Sequence, residues 1–263
     1  MEFKNIIYTK DDEKGMARII INRPEVRNAL NQATRAEIRE AVDDLKKDKN
    51  VRVVTITGAG DKAFVAGADI TEFKGATPVT MEEHASTLGQ QLYNDVENLP
   101  MPVIAMINGF CLGGGNELAM ACDIRIASEN AKFGQPEINI GFIPGGGATL
   151  RLPRLIGWGR AKELIYTGRI IDAAEAERIG LVDKVVPQDK LEDTVNQLAE
   201  TIASKSPLIT RIAKKAINTG MYTDLAAGLA YEKGYFALCF SSKDFLEGVN
   251  AFMEKRKPEF EGR

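Results

Sequence analysis

Short β-branched, apolar runs along the chain alternate with longer stretches in which apolar positions recur every three or four residues. Residues 3–8 and 16–21 read as strands joined by the polar turn 10–15, and Asn22-Arg23-Pro24 closes the second because proline cannot continue a ladder. Residues 31–50 read as a helix with Ala36, Ile38, Ala41, Val42 and Leu45 on its apolar face, while the other face mixes acids and bases like a solvated surface. Residues 51–57 form a buried-strand pattern ended by Gly58-Ala59-Gly60. Residues 80–99 read as one amphipathic helix, stopped by Pro100-Met101-Pro102 ahead of an apolar strand over 103–107.

Past Gly147 the pattern turns mostly helical, over 150–155, 159–166 and 173–179, with one short strand at 182–186. Four long amphipathic helices follow, over 191–204, 208–218, 225–240 and 242–255. Strands that alternate with helices predict the α/β class, here with a helical tail. A soft boundary at Ser204-Lys205-Ser206-Pro207 divides an α/β core, 1–204, from a C-terminal helical region, 205–263. No repeat of fixed period is present.

Composition narrows the possibilities. With 263 residues and 44% hydrophobic content the chain can bury a substantial core. A net charge of −3 offers no electrostatic case for nucleic acid or an anionic membrane. No apolar run reaches spanning length, since Asn108, Glu117 and Asp123 interrupt the longest candidate. Cys111, Cys122 and Cys239 have no paired spacing, and together with the lack of an N-terminal apolar segment they predict a reduced, cytoplasmic protein.

Several chemistries lose their support in the same way. The single histidine, His84, stands beside two glutamates in a polar helix and reads as a surface residue rather than a triad member. GxSxG, CxxC, HExxH and GxxxxGK[ST] are all missing, so no metal site and no phosphate loop is expected. Carboxylates and backbone donors remain.

They concentrate between Val103 and Gly147. The strand at 103–107 ends at Asn108-Gly109, and the triplet Gly113-Gly114-Gly115 then opens a helix, which aims unsatisfied N–H groups at whatever lies above the turn. Glu117 follows in the first turns of that helix, where burial raises a carboxyl pKa and the helix end lowers it; a capping acid on a solvated turn has the same spacing. Glu137, in FGQPE, read alone is an ordinary loop acid after a proline; paired with Glu117 it forms a set able to divide acid and base roles. The triplet is consistent with close helix–strand packing or with an oxyanion hole, for which a second donor would come from Ala66-Gly67-Ala68-Asp69.

These residues also carry a resemblance. NRPEVRNAL (22–30), AFVAGADI (63–70), NGFCLGGGNELAMACDIRIAS (108–128), FGQPEINIGFIPGGG (133–147) and AFMEKRKPEF (251–260) occur in order over nearly the whole chain. In this the chain resembles the crotonase (enoyl-CoA hydratase/isomerase) superfamily, and most of all its hydratases and 3-hydroxyacyl-CoA dehydratases, because both glutamate positions are filled. The resemblance implies a spiral of ββα units with a C-terminal helical region, a homotrimer or a hexamer made of two trimers, and a lyase of fatty-acid metabolism. Its substrate would be an acyl-CoA thioester, with no cofactor beyond the substrate's own coenzyme A.

It further implies that the N–H groups of Ala68 and Gly114 hold the thioester oxygen, that Glu117 is the base on a water, and that Glu137 delivers a proton to the α-carbon. Coenzyme A would lie along Arg23, Val26, Ala29, Ala66, Asp69, Ile70 and Gly145, with Lys255 and Lys257 as candidates for its phosphates. Three positions depart from the hydratase pattern: Ala148 and Leu150 replace a glycine and a glutamine near the acyl pocket, and Thr71 replaces a lysine. Three other readings stay open on the same scaffold, one of them a hydratase of a specialised, branched or cyclic, acyl-CoA. A double-bond isomerase would need only one glutamate, and an RNA-binding relative would carry a lysine-rich face on the helix at 31–50, where charge is instead balanced.

Overall fold

A computed structural model describes residues 2–263, apart from the side chains at 84–86; the surface role expected for His84 therefore lies outside the described residues. Strands β1 (Ile6–Asp11) and β2 (Met16–Ile21) pair antiparallel, Ile6 opposite Ile21, so the first strand starts and ends about three residues later than its composition predicts. Helix α1 (Gln32–Lys47) follows, with Asn31 accepting from Thr34 N–H as its N-cap and two lysines in its last turn. Its buried stripe is Thr34, Arg35, Ile38, Ala41, Val42 and Leu45. Ala36, expected on this face, is exposed, because two residues place it roughly 200° around the helix from Ile38.

Three successive turns of chain then repeat one plan. Strands β3 (Val53–Gly58), β5 (Val103–Ile107) and β7 (Ile124–Ser128) enter a large sheet, and each is followed by a three-residue strand, β4 (Ala63–Val65), β6 (Phe110–Leu112) or β8 (Lys132–Gly134), that enters a small one. Helices come next in each turn: α2 (Pro78–His84) and α3 (Gln90–Glu97), then α4 (Gly114–Ala121), then α5 (Ala148–Ile156) and α6 (Trp158–Thr167). The expected single helix over 80–99 is thus two helices, joined by a π-helical stretch (Ala85–Gly89).

The chain continues through β9 (Ile171–Asp172), α7 (Ala173–Arg178) and β10 (Lys184–Val186) into helices α8 (Leu191–Ala203), α9 (Pro207–Met221), α10 (Leu225–Cys239) and α11 (Lys243–Glu254). The large sheet has the order β1-β2-β3-β5-β7-β10 and the small one β4-β6-β8-β9. Apart from the β1–β2 and β8–β9 pairs, neighbours run parallel. One core fills the space between the sheets and helices α1, α3 and α4. A second lies between the large sheet (Val53, Ile104, Met106, Ile126) and α8 (Leu191, Val195, Ala199).

Helix α9 is tied to the body by the buried Lys214, whose Nζ donates to Asp123 Oδ2 at 2.7 Å and Met101 O at 3.1 Å. Helix α10 packs on α9 and has no buried residue; Leu225, Tyr231 and Phe236 are all exposed. It is therefore not the amphipathic helix its spacing predicts, since apolar residues surround it.

Asn28 organises the entry to the site. It is fully buried in a left-handed conformation, φ 59°, which asparagine tolerates better than most residues. Its Nδ2 donates to Ala59 O at 3.0 Å and Ala63 O at 2.8 Å, and its Oδ1 accepts from Arg23 N–H at 3.0 Å. Asn28→Ala should lower stability by about 2–4 kcal/mol, because it strands buried carbonyls and keeps the unfavourable φ. Denaturant unfolding checks this; a loss below about 0.5 kcal/mol would contradict it.

Candidate active site

Strands β4, β6 and β8 lie side by side and parallel, so the loops that leave their C-terminal ends meet above one edge of the small sheet. From β4 comes Ala66-Gly67-Ala68, held in place by Ala66 N–H on Arg27 O (3.1 Å), Leu30 N–H on Gly67 O (2.9 Å) and Asp69 N–H on Leu30 O (2.9 Å). From β6 comes the N-terminus of α4, and from β8 the 3-10 turn Pro136–Ile140 that carries Glu137.

A Cβ on Gly114 would lie 3.7 Å from Ala68 N, so these two amides flank one spot. Among the described residues, neither N–H donates to a protein acceptor. Gly113 has φ 50°, and a Cβ there would fall 2.9 Å from Glu137 Oε1; only glycine allows the carboxyl so close to the helix start. At Gly146 a Cβ would meet the Tyr93 ring at 2.2 Å and Glu117 Oε2 at 2.5 Å.

Both carboxylates are buried, Glu117 with 4% and Glu137 with 7% of its surface exposed. Glu117 Oε1 accepts from Gly146 N–H at 2.7 Å and Ala148 N–H at 3.0 Å. Burial raises its pKa, and those two backbone bonds oppose the rise. Glu137 Oε2 has no hydrogen-bond partner among the described residues. Its pKa is pushed up to about 7, chiefly by burial and further by the charge of Glu117. The pair thus places two carboxyls of unequal environment in one cavity, the arrangement that separates a proton donor from a base.

That cavity measures about 310 Å³. Of the residues singled out by sequence, Glu117, Glu137, Ala68, Gly114, Ala66, Ile70 and Gly145 all line it. Arg23 and Asp69 do not; they pair with each other at 3.3 Å, and Arg23 Nη1 also donates to Ala29 O at 2.6 Å. Val26 stands exposed on the surface. Ala148 is buried and contributes only its N–H to Glu117, while Leu150 is 63% exposed, so neither departure lines the cavity. Thr71 hydrogen-bonds Asp69, and Lys255 and Lys257 are exposed beyond α11.

Tyr93, Arg35, Phe73, Met81, Ile140, Phe142 and Ile143 also line the cavity, and sequence reasoning passed over them. The Tyr93 hydroxyl donates to Gly114 O at 3.0 Å, and burial raises its pKa. For Arg35 a signal existed: it lies three residues before Ile38, on the buried stripe of α1. No group of three or more His, Cys, Asp or Glu able to hold a metal occurs among the described residues. No helix among them is long and apolar enough to cross a membrane.

Two sheets built strand by strand in a spiral, a backbone donor pair and a buried carboxyl pair define an enzyme of the spiral ββα type, and comparison with known proteins agrees. The family model for enoyl-CoA hydratase/isomerase matches residues 11–263. The crotonyl-CoA hydratase of Syntrophomonas wolfei is 48% identical over 260 residues, covering 99% of each chain. The short-chain-enoyl-CoA hydratase of Clostridium acetobutylicum is 47% identical, covering 98% of each. The crystal structure of an enoyl-CoA hydratase from Bacillus anthracis superposes with a TM-score of 0.94 at 45% identity, over 99% of this chain and 100% of that one. The chain belongs to the enoyl-CoA hydratase/isomerase family and has the crotonase fold.

The Glu137 shift has a measurable consequence for stability. A carboxyl near 4.5 in the unfolded chain and about 7 in the folded one makes the unfolded state the weaker proton binder between those values, so stability falls as pH rises through that window. Glu137→Gln should therefore be more stable than wild type at pH 8, by roughly 1–3 kcal/mol, and the gap should close near pH 4. Denaturant midpoints across that range test it; a gap independent of pH would contradict the assignment.

Proposed function

We propose that this protein is an enoyl-CoA hydratase, adding water reversibly and syn across a trans-2-enoyl-CoA to give the (3S)-3-hydroxyacyl-CoA. One observation carries the reading: two buried carboxyls and two backbone N–H groups with no protein acceptor among the described residues converge on a single cavity. The likeness to crotonyl-CoA and short-chain-enoyl-CoA hydratases supports it.

The thioester oxygen is received by the Ala68 and Gly114 N–H groups. Conjugate addition moves charge onto that oxygen as the enolate forms, and backbone donors fixed in a loop and at a helix start lower the barrier without having to reorganise. Glu117, ionised and steadied by Gly146 and Ala148, takes a proton from water as the water oxygen bonds to C3. Glu137, protonated, delivers its proton to C2, which restores the carbonyl. In the reverse direction the same groups eliminate water. The reaction requires no cofactor beyond the coenzyme A of the substrate, whose chain lies along the surface between Arg23 and Ala29 and beside Ala66, Asp69, Ile70 and Gly145.

A cytoplasmic homotrimer, or two trimers in a hexamer, completes the reading. Supporting it are the three unpaired cysteines and the exposed apolar residues of α10 and α11, among them Leu225, Phe236, Phe252 and Met253. Light scattering on a sizing column should return the mass of three or six 28.8 kDa chains; a monomer would count against it.

The catalytic reading is tested by loss of enoyl-thioester absorbance with crotonyl-CoA. Glu117→Gln and Glu137→Gln should each lower kcat by about 10²–10⁴-fold. Because Glu137 must be protonated, wild-type kcat/KM should fall as pH rises beyond about 7, and because Glu117 must be ionised it should fall again on the acid side. Full activity in either variant would overturn the two-carboxyl scheme. A wild type that shifts a 3-enoyl to a 2-enoyl thioester but hydrates neither would replace it with isomerisation.

A further inference from the structure

One charge on the cavity wall is left unused by the hydration scheme. Arg35 reaches the cavity from α1 with only 4% of its surface exposed, and its Nε and Nη1 have no hydrogen-bond partner among the described residues. Its ion-pair partner, Glu72, stays 3.7 Å away. Both oxygens of Glu72 are already engaged at the start of α1, accepting from Gln32 N–H at 2.9 and 3.1 Å. Tyr93, whose ring faces the same cavity, directs its hydroxyl to Gly114 O.

A guanidinium stays charged at any physiological pH, and burying one with donors unmet is costly. Tyr93 lies within hydrogen-bonding reach of the guanidinium, whose charge also acts on Glu117, but on the neighbouring wall Phe73, Met81, Phe142 and Ile143 are apolar and meet neither Nε nor Nη1. An all-hydrocarbon acyl chain would match those four side chains and leave Arg35 as it is. A chain ending in a carboxylate would match them along its length and give the guanidinium the planar, two-point partner it binds best. The cavity is small, about 310 Å³, and Tyr93 links the Arg35 side to the Gly114 side, so the span from thioester to guanidinium suits a short chain.

We infer that Arg35 is a specificity-determining residue that holds a terminal carboxylate, and that the preferred substrate is a short dicarboxylic enoyl-CoA. The inference takes its reaction from the hydratase reading above, but its binding site stands on Arg35 alone.

Crotonyl-CoA and glutaconyl-CoA test it directly, because they differ by one carboxylate on the last carbon of the acyl chain. Wild type should show kcat/KM at least about 10-fold higher for glutaconyl-CoA. Arg35→Leu should lose about 10²-fold on glutaconyl-CoA and stay within about threefold on crotonyl-CoA, while Arg35→Lys recovers part of the loss. A wild type without the preference, or a variant that falls equally on both substrates, overturns the inference. The saturated analogues glutaryl-CoA and butyryl-CoA, titrated by calorimetry, separate this from the reaction itself. If neither enoyl thioester is hydrated, the hydratase reading fails, yet tighter binding of glutaryl-CoA that Arg35→Leu abolishes still supports the role of Arg35. Equal binding of the two analogues by wild type overturns it, and unchanged butyryl-CoA affinity in Arg35→Leu shows that the variant is folded.

Discussion

The parallel register of three very short strands is the constraint on which the site rests. Ala63 pairs with Phe110, and Phe110 in turn with Lys132, so β4, β6 and β8 start level, and an irregularity after Ala63 sets Val65 opposite Cys111. Each strand comes from a different turn of the spiral, separated in sequence by long helical excursions. Pairing them in register brings the Ala66–Ala68 loop, the start of α4 and the Pro136–Ile140 turn to one edge. A slip of one residue would move every side chain to the opposite face and separate the amide pair from the carboxyls.

What collects at that edge opposes stability. Two carboxyls are buried within one cavity, one with an oxygen lacking a partner among the described residues, and a guanidinium lies on the same wall with two donors unmet among them. The surrounding structure enforces this arrangement. Two backbone N–H groups hold Glu117, glycine at 113 lets Glu137 approach the helix start, and Asn28 holds the Ala63 carbonyl at the start of β4, the strand that leads to Ala68. Buried polar groups without partners are uncommon in folded proteins because each costs free energy, and their clustering in one cavity is the physical mark of a binding site.

The C-terminal helices answer to another demand. Helix α8 closes the second core against the large sheet, and α9 is fastened by the Lys214–Asp123 pair. Helix α10 packs on α9 and exposes apolar side chains around its circumference, a surface that water does not favour. That surface supports the proposed role of the tail in association.

Much was determined by the sequence by itself. Periodicity located the strands of the large sheet that carry long β-branched runs, the helix from Gln32, and the helices beyond Ala148, because burial on one face writes a period into the residues. The ordered motifs around Gly114 and Glu137 were enough to state the family, and the comparisons show it. The short strands β4, β6, β8 and β9 were invisible, since two or three residues cannot display a period of two. The π-helical break before Gly89 and the exposure of Ala36 depend on packing and phase, which composition does not encode. Only the tertiary structure decided that Ala148 and Leu150 stay off the cavity wall and that Arg35 and Tyr93 stand on it, because contact between residues this far apart in sequence follows from strand register and not from spacing along the chain.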